Sequence, residues 1–219
     1  GTGLITAGNI EGQATVTASY ISTGKTVSVD CPVSVVDVSD FKFVNVAVAG
    51  TLSKLISEDE ILDIKKLIVL GNLNSNDIRV LRKMAGRDEY GNLTAGSLEI
   101  LNMFNTKIVS GGEGYYYRDN YWRNVSDNNL GQDVFRECNT LKKVVLPSSL
   151  RNLGHYAFYG CQNLEEVVIS DGLVGTDYYV FQNCRKLTTV NIPSSVTTLY
   201  GYTFYGCSNL KSIDLSTID

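Results

Sequence analysis

Four cysteines, Cys138, Cys161, Cys184 and Cys207, stand 23 residues apart, and their neighbours keep the same step. Phe135, Phe158, Phe181 and Phe204 lie three positions before each cysteine, and Leu141, Leu164, Leu187 and Leu210 three after. Two more apolar columns follow, Val144, Val167, Val190, Ile213 and then Leu146, Ile169, Ile192, Leu215. A fixed apolar skeleton at this period is the mark of a solenoid, because a unit this short cannot bury its hydrophobic face alone and must stack on the next. The stretch from Leu130 to Leu215 is therefore expected to form a pile of near-identical units.

Within a unit, the Leu-x-x-Val-x-Ile run alternates with period two, which predicts a short strand with one buried face. Pro147 and Pro193 follow that strand directly, where a missing N–H and a fixed φ end the ladder. Gly154 and its counterparts Asp177 and Tyr200 mark a second corner. This consensus resembles the leucine-rich repeats of the BspA-like class of bacterial surface proteins, over residues 130–219. The resemblance implies an α/β-type, mostly β fold: a right-handed leucine-rich repeat solenoid with a partly helical N-terminal cap. It also implies a secreted or cell-surface protein of an anaerobic bacterium. Its work would be non-catalytic adhesion to host extracellular proteins or to bacterial surface proteins, with no cofactor.

Earlier in the chain, Ile64 to Val69 fits the same strand grammar, and Leu98 to Met103 is a second irregular unit. The central positions Leu67, Leu101 and Val144 are 34 and 43 residues apart, so these units carry insertions. A possible strand lies at Val44–Val48. Thr51 is expected to cap a short helix with Leu52, Leu55 and Ile56 on one face, and Asn76–Asp77 to cap a helix running to Met84, closed by Gly86. AGTLSKLI, LGNLNSNDIRVLRKMAG and TKIVSGGEGYY are similar to the amino-terminal cap of BspA-like repeats. In residues 3–35, strand-like runs at Gly3–Ala7, Ala14–Tyr20 and Lys25–Val35 suggest a meander. GLITAGNIEGQATVTAS followed by GKTVSVDCPVSVV looks like the second half of a bacterial Ig-like domain. The expected division is residues 1–37 for that small antiparallel fragment, 38–129 for the cap and irregular units, and 130–219 for four regular repeats.

Charged residues are 19% of the chain with a net charge of −4, and basic residues occur at most in pairs such as Lys142–Lys143, so nucleic-acid binding has no electrostatic support. No apolar run is long enough to span a membrane, and a missing leader before Gly1 is uninformative. The cysteine column is read as buried reduced thiols packing as small hydrophobes; a linear column cannot converge tetrahedrally on zinc, so no metal site is expected. Cys31 has no obvious partner. His155 is the only histidine and sits in a variable corner column, so no catalytic site is expected.

Two surfaces could bind. Strand register turns Lys66 and Ile68, Ile100 and Asn102, Lys143 and Val145, Glu166 and Val168, Thr189 and Asn191, and Ser212 and Asp214 outward in two columns. These form either a rigid recognition platform or an ordinary solvated sheet face. Aromatic residues form the other surface. The insert between Ser110 and Asn129 holds Tyr115, Tyr116, Tyr117, Tyr121 and the only tryptophan, Trp122, has no repeat phase, and is expected to protrude. It could bind glycans or simply pack on the cap. Tyr156, Tyr179 and Tyr202 form a further column, for which stacking between units is the preferred reading. A glycan-binding module and a spacer with no ligand of its own are the alternatives to adhesion.

Overall fold

The computed structural model describes residues 12–22, 25–35 and 40–213, with side chains for 40–213. The chain separates into two compact units, Gly1–Phe41 and Lys42–Asp219. In the first, β1 (Gly12–Ser22) and β2 (Lys25–Val35) pair antiparallel, with Ser22 opposite Lys25. The strand-like run Gly3–Ala7 and the Cys31 side chain lie outside the described residues.

The second unit is mostly β. It begins with β3 (Lys42–Val46), α1 (Leu52–Leu55), β4 (Lys66–Leu73), α2 (Ser75–Met84), β5 (Ile100–Asn102) and β6 (Thr106–Ile108). A hairpin of β7 (Tyr116–Arg118) and β8 (Tyr121–Arg123) follows. The regular region then contributes β9 (Asn129–Leu130), β10 (Lys143–Val145), β11 (Asn152–Leu153), β12 (Glu166–Val168), β13 (Gly175–Thr176), β14 (Thr189–Val190) and β15 (Thr198–Leu199). The main sheet is parallel in the order β14-β12-β10-β5-β4-β3, with β6 also paired to β4. A second parallel sheet runs β15-β13-β11-β9.

Register follows the repeat. Val144 lies opposite Val167 on one side and Leu101 on the other, and Leu101 lies opposite Leu67. All of these side chains are buried, while those on either side of them are partly exposed, as period-two alternation requires. A third ladder ties the turns: Phe135 N–H donates to Ala157 C=O at 2.7 Å, Phe158 to Val180 at 2.8 Å and Phe181 to Thr203 at 2.9 Å. Inside this ladder the phenylalanine rings stack at 5.5 Å from one repeat to the next. Tyr156, Tyr179 and Tyr202 also stack, at 4.9 and 5.2 Å, each held at a φ near +60°.

The four column thiols are free and buried, but they do more than fill space. Cys161, Cys184 and Cys207 donate from Sγ to the carbonyls of Phe135, Phe158 and Phe181, at 2.9, 3.1 and 3.0 Å.

Thr51 stands at the N-cap position of α1 as expected, but its side chain does not cap it, and the start of α2 is corrected. Thr51 makes no capping bond; its hydroxyl donates to Val48 C=O at 2.7 Å, and the N–H groups of Gly50 and Leu52 go to the Asp77 carboxylate instead. Leu52 and Ile56 are buried, whereas Leu55 is exposed, because a one-turn helix has room for only a narrow inward face. The cap of α2 is Asn74, not Asn76–Asp77: Asn74 Oδ1 accepts from Asn76 N–H, and Asp77 returns a bond to Asn74 N–H. Ile78, Leu81 and Met84 are buried, and Gly86 follows the helix at φ +91°.

Candidate functional site

The outward face of the main sheet holds the residues expected there, in two columns. One runs Lys66, Ile100, Lys143, Glu166, Thr189, and the other Ile68, Asn102, Val145, Val168. Asn191 and Ser212 are exposed beyond β14, and Asp214 lies outside the described residues. Lys143 Nζ reaches Glu166 at 2.8 Å, and Lys142 Nζ reaches Glu99 at 2.8 Å beside them. The bond from Lys142 lowers the Glu99 carboxyl and in turn raises the Lys142 ammonium. Two of the polar side chains serve the backbone: Asn102 Oδ1 accepts from Phe104 N–H, and Asn191 bonds both the N–H and the C=O of Ile169. The face thus presents partly exposed Ile68, Ile100, Val145 and Val168 beside ion-paired charges. An apolar strip with a polar rim is the anatomy of a protein-binding surface.

The aromatic insert is split by its own hairpin, and the expectation that it protrudes holds for only part of it. Tyr115 and Tyr116 are buried. Tyr115 donates its hydroxyl to Gln132 C=O at 2.6 Å, and burial pushes its pKa up. Tyr116 lies under the guanidinium of Arg82, 4.3 Å from its ring centroid. Tyr117 and Trp122 are register partners on the outward face of the hairpin and remain exposed, and Tyr121, on the other face beside the turn, is exposed as well.

Two residues that sequence reasoning missed hold this insert to the first repeat. Arg82 is wholly buried and donates from Nη1 to the carbonyls of Asp133 and Val134, both at 2.9 Å. Asp133, 1% exposed, faces Arg136 at 3.3 Å, Arg123 at 3.6 Å and Arg118 at 3.8 Å. One signal was available: Asp133 occupies the column that is tyrosine in the next three repeats.

His155 Nε2 stands 3.5 Å from Asp177 Oδ1 and its ring stacks on Tyr178. The buried thiols have pKa values pushed up by burial, to about 11 for Cys138 and Cys207, so none supplies a thiolate. Among the described residues no group of three His, Cys, Asp or Glu could hold a metal ion, and no helix is long and apolar enough to cross a membrane.

Parallel strands recurring every 23 residues, with Leu, Val and Ile turned inward, define a leucine-rich repeat region. Residues 128–218 match the family model "BspA type Leucine rich repeat region" in six copies. Such repeats are generally non-catalytic binding modules that bind proteins, and the match indicates no enzyme family. No curated protein matches the chain. Among solved structures, the T. pallidum leucine-rich repeat protein is 27% identical at a TM-score of 0.33, covering 39% of this chain and 50% of that one. This chain therefore spans half the length of that protein. A leucine-rich repeat protein from Bacteroides capillosus is 20% identical at a TM-score of 0.41, covering 60% of this chain and 84% of that one. A leucine rich cell surface protein from Faecalibacterium prausnitzii is 17% identical at a TM-score of 0.34, covering 70% and 62%.

Proposed function

We propose that this is a secreted or cell-surface recognition protein of an anaerobic bacterium that adheres, without catalysis, to host extracellular proteins or bacterial surface proteins. In this reading the stacked sheets form a right-handed solenoid. Residues 1–37 are the end of an Ig-like module, 38–129 the cap with irregular repeats, and 130–219 the regular array. One observation carries the proposal: Val145 and Val168 are adjacent in solvent reach on hydrogen-bonded parallel strands, with Asn102 between Val145 and Ile68 and with Ile100 in the neighbouring column. Such a surface loses little conformational freedom when a partner lands on it. The Lys143–Glu166 pair sits at its rim, where charges select partners more than they add affinity.

The test is a screen of the purified chain against immobilised matrix, plasma and bacterial surface proteins, with a Val145→Asp/Val168→Asp variant and a Lys143→Ala/Glu166→Ala variant beside it. Saturable binding is expected, lost with the aspartates and weakened several-fold with the alanines. Binding that survives the aspartates at a wild-type melting temperature would move the site off this face.

A further inference from the structure

The exposed half of the insert meets a turn from elsewhere in the chain. Tyr90 packs 5.9 Å from Trp122 and 6.3 Å from Tyr117, and Tyr117 and Trp122 are 5.2 Å apart, all at steep tilts. Tyr90 is 59% exposed and Trp122 40%. Both line a cleft of about 470 Å³, with Arg79, Glu89, Glu113 and Asn124. That size falls within the roughly 300–1,000 Å³ usual for small-molecule sites.

The rings are held in place before any ligand arrives. Trp122 lies directly against Gly114, where an added Cβ would come within 2.9 Å of Cε3. Arg79 donates from Nε and Nη2 to Gly114 C=O and sets its guanidinium 5.2 Å from the Trp122 ring. The Tyr90 turn is fastened by the Asp88 carboxylate, which accepts from Tyr90 N–H at 2.9 Å and Asn92 N–H at 2.8 Å.

Three ligand classes fit exposed aromatic rings, and the surroundings choose among them. A peptide anchor needs a deep apolar pocket, whereas this cleft is rimmed by charged and amide groups. A quaternary ammonium needs an open aromatic cage, but Arg79 already places a cation on Trp122. A sugar needs an aromatic surface for its C–H face and planar polar groups for its hydroxyls, and both are present. Arg79 stands against two carboxylates, Glu89 and Glu113, which disfavours an acidic sugar. We propose that this cleft binds a neutral hexopyranose saccharide, its ring packed on Tyr90 and Trp122 and its hydroxyls bonded to Asn124, Glu89 and Glu113. The site does not depend on the strand face.

Trp122 is the only tryptophan, so its emission reports on the cleft. The whole chain would be titrated with lactose, cellobiose, mannobiose and 3′-sialyllactose, followed by emission and by calorimetry. At least one neutral disaccharide is expected to bind saturably, with affinity about ten-fold lower in Tyr90→Ala, a change at an exposed ring that leaves the circular dichroism spectrum unaltered. The proposal is overturned if every neutral sugar is silent in both measurements, if Tyr90→Ala binds as well as wild type, or if sialyllactose binds as tightly as lactose.

Discussion

The thiol of Cys161 donates a hydrogen bond to the main-chain carbonyl of Phe135, 2.9 Å away in the preceding repeat. That carbonyl already accepts from Cys138 N–H at 3.1 Å, so the thiol adds a second, inter-repeat bond. Cysteine suits the column because it is small, apolar and still a weak donor.

Alkaline pH should loosen the stack. Burial raises the Cys138 and Cys207 thiols from the ordinary 9.0 to about 11, and those of Cys161 and Cys184 well above 9.0. Above 9.0 the unfolded chain loses these protons first, so it binds fewer of them than the native state and stability falls with pH. The contribution is complete below 9.0 and lost as pH rises through the folded values. Urea midpoints from about pH 8 to about pH 11 should fall more steeply in wild type than in Cys161→Ala.

Arg82 is expected to be the least replaceable charged residue of α2. Arg82→Ala would remove a donor to the Asp133 and Val134 carbonyls and leave a void over the Tyr116 ring, costing about 3–5 kcal/mol. Arg82→Met fills most of the void and should cost about 1–3 kcal/mol for the carbonyls alone. Urea denaturation of the two variants gives the comparison, and equal losses would contradict the assignment.

Gly154 and Asp177 share a column yet should respond unequally to exchange. A Cβ at Gly154 would lie 2.6 Å from backbone atoms of Gly131 and Gln132, which cannot step aside. Gly154→Asp should cost about 1–3 kcal/mol through overpacking, and Asp177→Gly less than about 1 kcal/mol. Thermal melts of both variants check this.

The Tyr90 turn should open in acid. Burial pushes the Asp88 carboxyl up, but hydrogen bonds from Asn92, Tyr90 and Gly91 outweigh it and hold the group below its ordinary 3.8. Its stabilisation is present above 3.8 and disappears as pH falls through the lower folded value. An acid step in Trp122 emission below about pH 4 is expected in wild type and should be missing in Asp88→Asn.

Much of the second unit was legible from spacing. Leu67, Leu101 and Val144 were aligned despite gaps of 34 and 43 residues, and they are register partners. Alternation identifies a strand's inner face whatever the length of the loop between strands. Helix caps were less legible, since Asn74, Asn76 and Asp77 all carry capping side chains and the choice rests on one backbone bend. In the insert, five aromatic residues crowd the eight positions 115–122, and their composition gave no hint that Tyr115 and Tyr116 face inward.

What the chain's own letters determine is the stacking period and the inward side of each strand. Near-identical units bury a continuous core only when they pair in phase. What tertiary structure alone decides is the fate of the segments outside that phase. Arg82 over the Tyr116 ring, Asp133 facing Arg118 and Arg123, and Tyr90 beside Trp122 are contacts between residues well separated in sequence. No repeat specifies such contacts, because each depends on how one irregular loop settles against another.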